Sequence, residues 1–157
     1  MLLRRTRRRG TVVVESAVIY PVLFVLLLGI VLMGMTIFRY QQCAHAAREG
    51  ARWASVHGSS YSTEQNQPAT TQQNVIDNAV SPQFAGKTVD GVELACTVSW
   101  PYGQAPTRAV TITDPVTLLP EVVARSNTVS VTVTYSWDTG FFGVLTVSST
   151  SVNQMSY

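Results

Sequence analysis

The sequence predicts an α+β protein: one long N-terminal transmembrane helix that extends out of the membrane and packs with a small antiparallel β-sheet. Three observations predict it. Residues 16–38 are 23 consecutive positions without a charge, dominated by Val, Leu, Ile, Met and Gly. Proline-free, alanine-rich sequence continues from there through residue 57. The last third alternates Val or Tyr with Ser or Thr, most clearly in TVSVTVTYSW at 128–137, the period-two pattern of a strand with one face inward.

A chain of 157 residues suits one small domain with accessories rather than two full domains. The net charge of +2 is mostly a property of the head: Arg4, Arg5, Arg7, Arg8 and Arg9 hold five of the eleven basic residues. Without residues 1–10 the chain has six basic against nine acidic residues, a net −3. No basic face is then left to neutralise phosphates, which argues against a nucleic-acid partner. A basic leader (residues 1–10) flanking an apolar run instead orients a membrane segment, with the N-terminus in the cytoplasm and everything after residue 40 exported.

The helix is expected over residues 11–58, with 16–38 crossing the bilayer. At about 1.5 Å per residue the uncharged run reaches ~35 Å, enough for a hydrocarbon core of about 30 Å. Pro21, Gly29 and Gly34 weaken a helix in water but are tolerated in lipid. A cleaved secretory signal is a competing reading, with AHA at 44–46 as its cleavage site. Its apolar core normally runs about 7–15 residues, shorter than this one. A plain uncleaved anchor explains the length and the arginines but leaves Glu15 unexplained.

GTVVVE at 10–15 puts a glycine directly before the apolar run and a glutamate at the fifth position after it, behind a short basic leader. This resembles the type IV prepilin signature, and the resemblance implies cleavage by a membrane-embedded prepilin peptidase between Gly10 and Thr11. Cleavage would leave a charged amine on Thr11. The Glu15 carboxylate, one helical turn along, would then pair with such an amine on a neighbouring subunit. That attraction grows where water is scarce, but desolvation offsets much of it, so the pair is expected to set register more than stability. Glu15 also suits an acid in the first helical turn, where it meets the positive end of the dipole.

Beyond Phe38, RYQQCAHAAREGARWASVHG continues the helix to a stop at Gly58. Ala47, Ala51 and Ala54 form a small-residue strip, and Arg48 and Arg52 project from an adjacent face. Trp53 reads as a core or interfacial anchor. The combination GTVVVESAVIYPVLFVLLLGIVLMGM with AAREGARWAS resembles the TadE family of pseudopilins of the tight-adherence (Tad, or Flp pilus) systems and its TadG-like relatives, over residues 7–58. The chain differs in having Met35 and Thr36 where an acid often follows the apolar run, and Ser16 where a phenylalanine commonly follows the glutamate. The resemblance implies a single-pass protein of the bacterial cytoplasmic membrane, acting as a minor structural subunit with other pilins or Tad assembly proteins as partners. The alternative is an uncleaved membrane-anchored module whose β-rich head binds an extracytoplasmic ligand.

Residues 59–90 read as a polar connector, rich in Ser, Thr, Gln and Asn, with a short helix over 71–80 ended by Ser81 and Pro82. Residues 91–157 read as the β-rich extracytoplasmic domain: strands at 92–100 and 128–137, a weak one at 109–113, and a return strand at 144–157 after the turn DTGFFG.

No catalytic constellation is expected. The sequence has two histidines and no G-x-S-x-G, phosphate loop or H-E-x-x-H. No cofactor, metal or small-molecule substrate is implied: Cys43 and His45, two apart on a helix, face different sides. Asp77, Asp90, Glu93, Asp114 and Asp138 read as solvated turn and strand-end residues. Cys43 and Cys96 are a candidate disulfide in an exported, oxidising compartment, provided that their α-carbons approach within about 7 Å and that Cys43 stands clear of the headgroups.

Overall fold

The computed structural model describes residues 9–84, 94–113, 115, 119–140 and 143–156. Most of the basic leader, the first two positions of the strand expected at 92–100, and Asp90, Glu93 and Asp114 lie outside them. The chain falls into two units, Met1–Phe38 and Arg39–Tyr157.

The described part of the first unit is helix. α1 spans Arg9–Val56 and contains Pro21 in its interior. Proline donates no hydrogen bond, so the carbonyl of Ala17 loses its helical partner there. The large apolar side chains from Val12 to Phe38 are exposed except Leu28 and Leu32, which are half-buried. A continuous bare apolar surface of this size needs a non-aqueous surrounding, and this helix is long and apolar enough to cross a membrane. Its neutral polar residues are satisfied internally: Ser16 Oγ donates to the Val12 carbonyl and Thr36 Oγ1 to the Leu32 carbonyl, each at 2.8 Å.

In the second unit the end of α1 is followed by α2 (Ser59–Glu64) and α3 (Gln72–Val75), which runs on as a π turn over Ile76–Val80 and a 3-10 turn over Ser81–Phe84. The Thr71 hydroxyl caps α3 by accepting from the Asn74 amide. Five strands follow: β1 (Leu94–Ser99), β2 (Thr107–Thr113), β3 (Pro120–Ser126), β4 (Thr128–Asp138) and β5 (Val144–Gln154). β4 is the centre of a three-stranded antiparallel sheet ordered β1-β4-β5, and β2 and β3 form a separate two-stranded ribbon. The β4–β5 hairpin is in register without a break from Thr128 opposite Gln154 to Asp138 opposite Val144. Gly140 and Gly143, at φ 73° and 78°, turn the chain between them, and Asp138 Oδ1 accepts from the Gly140 amide.

The core lies where the end of α1 meets the sheet. Cys43, Ala46, Ala47, Ala51 and Ala54 are buried on α1, with Gly50 buried among them; spacings of three and four put them on one stripe. Opposite them are Val129, Val131, Val133 and Tyr135 of β4 and Leu94, Cys96 and Val98 of β1, with Val75, Ile76, Val80 and Phe84 closing the side. Every inward position of β4 is an apolar residue and every outward one is Ser or Thr up to Ser136, as its alternating burial requires.

Two elements depart from the expectations and one expected strand is longer. The polar stretch 59–74 is not all connector, since Ser59–Glu64 is helical. Its hydroxyls turn inward, Ser62 Oγ and Thr63 Oγ1 both donating to the Ser59 carbonyl at 2.9 Å. The weak strand at 109–113 is the longer β2, and β3 was not expected at all. β3 has an almost wholly exposed pattern, so the burial alternation that identifies a strand is missing.

Asn127, 1 % exposed, joins the ribbon to the sheet. Its amide Nδ2 donates to the carbonyls of Tyr102 and Ala105, its backbone N–H donates to the Pro106 carbonyl, and its own carbonyl accepts from Met155 N–H.

The tightest point of the core yields a stability test. A Cβ on Gly50 would stand 3.1 Å from Val131 Cγ1 and 3.2 Å from Val80 Cγ2. Gly50→Val is expected to cost about 1–3 kcal/mol by overpacking, lowering the thermal midpoint followed by circular dichroism. Arg52→Ala, on the exposed face of the same turn, is expected to stay within about 0.5 kcal/mol.

Candidate assembly site

Gly10, Thr11 and Glu15 all lie on α1. A separation of four residues brings positions 11 and 15 to the same side of the helix, one turn apart. Nothing lies within 4 Å of a Cβ built at Gly10, so this glycine is not required by packing within the chain. Glu15 is exposed, and among the described residues no group hydrogen-bonds or ion-pairs with its carboxylate. It differs in this from its neighbour Ser16, whose hydroxyl is satisfied by the helix itself. α1 is already helical at Arg9, so no acid stands in its first turn. The helix-dipole role expected for Glu15 therefore does not apply to the uncut chain, because that effect fades beyond the first turn.

The second half of α1 separates the residues that sequence motifs group together. Cys43 is buried while His45 is exposed, and among the described residues no group of three His, Cys, Asp or Glu side chains could hold a metal ion. Asp77 accepts from Gln73 Nε2 at 2.9 Å and Asp138 from the Gly140 amide at 2.8 Å, both local structural roles. Arg39 lies with its guanidinium carbon 5.0 Å from the centre of the Tyr135 ring, a cation–π contact.

Cys43 on α1 and Cys96 on β1 belong to one buried cluster, 0 % and 3 % exposed. Cys43 is thus packed against the sheet, and in this structure both cysteines are thiols with no disulfide between them. Burial pushes its thiol up from the ordinary value, and the Arg39 charge pulls it partly back.

Composition alone does not reveal the polar cavity of about 240 Å³ beside the end of α1, lined by Trp53, His57, Tyr61, Gln67, Asn74 and Asn78 among others. Trp53 and His57, one turn apart, stack at 3.9 Å with nearly parallel rings. His57 Nδ1 is 2.8 Å from the Trp53 carbonyl. A carbonyl only accepts, so Nδ1 carries the hydrogen, and Nε2 of the neutral ring is left as an acceptor. The Trp53 carbonyl also accepts the backbone N–H of His57 at 3.2 Å.

Residues 10–52 match the model of the family described as TadE-like protein. The match begins at Gly10, takes in Glu15 and the buried stripe as far as Ala51, and ends before the strands. No curated protein and no solved structure matches the chain.

The burial of both cysteines sets an expected labelling pattern. In the native detergent-solubilised chain, maleimide is expected to leave Cys43 and Cys96 unmodified, and after denaturation under reducing conditions to modify both, as read by intact mass. Rapid native labelling would show that the contact between α1 and the sheet opens readily.

Proposed function

From a TadE-like segment at residues 10–52 we propose that this single-pass membrane protein is a pseudopilin-like structural subunit of a Tad-type pilus assembly or secretion system, cut after Gly10 by a prepilin peptidase. The N-terminus faces the cytoplasm, the β-rich head is extracytoplasmic, and the protein acts by assembly rather than catalysis. The observation that carries the proposal is the Glu15 carboxylate, exposed at the start of an apolar span and without a partner among the described residues. An unpaired carboxylate costs about 2.5–3.5 kcal/mol at mid-bilayer and less at the edge of the span, and a cation from outside the chain removes that cost. The new amine of Thr11 on an adjacent subunit is such a cation, at the right depth because positions 11 and 15 are one turn apart. In the oxidising compartment a Cys43–Cys96 bond would tie α1 to β1 inside the head.

An uncleaved anchor with a ligand-binding head is the second reading, and the polar cavity at Trp53, His57 and Asn78 favours it. Intact mass of the protein from its native membrane separates the two, since only the subunit reading requires loss of residues 1–10. Glu15→Ala is expected to leave that processing intact while abolishing co-purification with other pilins. Normal co-purification of this variant would remove the pairing role.

A further inference from the structure

The two edges of the three-stranded sheet are treated differently. The β1 edge is closed by a side chain: Gln72 of α3 donates from Nε2 to the Cys96 carbonyl at 3.1 Å and accepts at Oε1 from the Val98 amide at 3.3 Å. One glutamine amide thus stands in for the peptide group of a neighbouring strand. At the β5 edge, among the described residues, no backbone outside β4 bonds to positions 144–153. β5 is also the longer edge, eleven residues against six in β1. Its sequence, VLTVSSTSVNQ, contains no charge, proline or glycine, and its pairing with β4 has no bulge. Charges, prolines, bulges and short length are the devices that keep an exposed edge from pairing, and β5 has none of them.

We propose that the β5 edge is an interaction surface for a second copy of this chain, the two β5 strands pairing antiparallel about Ser149 to join two three-stranded sheets into one of six. The side chains suit this occupant. Centred on Ser149, the pairing sets Ser148 opposite Thr150 of the other copy, Thr146 opposite Val152, and Val144 opposite Gln154. At Ser148 and Thr150 hydroxyl meets hydroxyl, as Thr132 and Thr150 already do at 2.8 Å within the chain, and no like charges meet in any pair. The contact is isologous and therefore closes at two copies. Tethering both copies to one membrane raises their effective concentration. The proposal concerns the head alone and deepens the assembly reading without depending on cleavage after Gly10 or on Glu15.

The test uses the full chain reconstituted in bilayer nanodiscs or vesicles. A mixture of Ser148→Cys and Thr150→Cys chains carrying different tags is oxidised and the cross-linked dimer is quantified; the native cysteines, 0 % and 3 % exposed, do not compete. Mixed cross-links are expected to exceed those within either population. A double Ser148→Lys, Thr150→Lys chain is expected to lower the dimer fraction about tenfold, the effect of roughly 1.4 kcal/mol of like-charge repulsion. Mixing it with a Ser148→Asp, Thr150→Asp chain is expected to restore pairing, and unchanged circular dichroism identifies both as folded. Equal cross-linking in all combinations, a dimer indifferent to the lysines, or strand pairing only with a different pilin would each overturn the proposal. An uncut leader in the same preparation would overturn the processing proposed above and leave this result standing.

Discussion

The fold depends on how closely α1 can approach β4. A Cβ on Gly50 would stand only 3.1 Å from Val131 Cγ1 and 3.2 Å from Val80 Cγ2, closer than ordinary contact, and the alanines on either side keep the rest of the stripe thin. A helix of large apolar residues would stand farther from the sheet, and the cluster around Val75, Ile76 and Tyr135 would lose its contacts. Apart from Tyr135, Phe84, Ile76, Leu94 and Met155 the buried core is made of Val, Ala and Cys, so short distances between small side chains contribute much of its cohesion.

This explains why one helix reads so differently along its length. Up to Phe38 it is apolar around its whole circumference and exposed, the composition of a segment surrounded by lipid. From Arg39 onward it is amphipathic in an unusual sense: the buried side is made of Cys, Ala, Gly and Ser55, and the exposed side carries His45, Arg48 and Arg52. Large side chains face the solvent of one region and small ones the protein of the other, because lipid rewards apolar area and the sheet rewards proximity.

Much of this was legible in the residues. The uncharged run, the Ala47–Ala51–Ala54 strip and the Val–Thr alternation of β4 each repeat with the period of the element they form, so the α+β class, α1 and the β4–β5 hairpin followed from pattern. What escaped had no period to read. β3 is exposed on nearly every residue, α2 is held by hydroxyl-to-carbonyl bonds inside a polar stretch, and Gln72 closes the β1 edge from 24 residues away in sequence. At the candidate site, the spacing of Gly10 and Glu15 was plain, whereas the cavity beside Trp53 is lined from residues 53–78, whose polar composition carries no motif that marks a cavity.

Asn127 has a consequence for how the head can vary. The hydrogen bonds that Asn127 makes at the root of the β2–β3 ribbon end on main-chain groups of Tyr102, Ala105, Pro106 and Met155, and a side-chain contact joins them there, Arg108 over the Tyr102 ring at 3.3 Å. Main-chain partners are indifferent to side-chain identity, so the two seven-residue arms can change their surface chemistry while the anchorage persists. The exposed faces of the ribbon are thus free to vary on a fixed base, within the limits set by Asn127 and by the Arg108–Tyr102 contact.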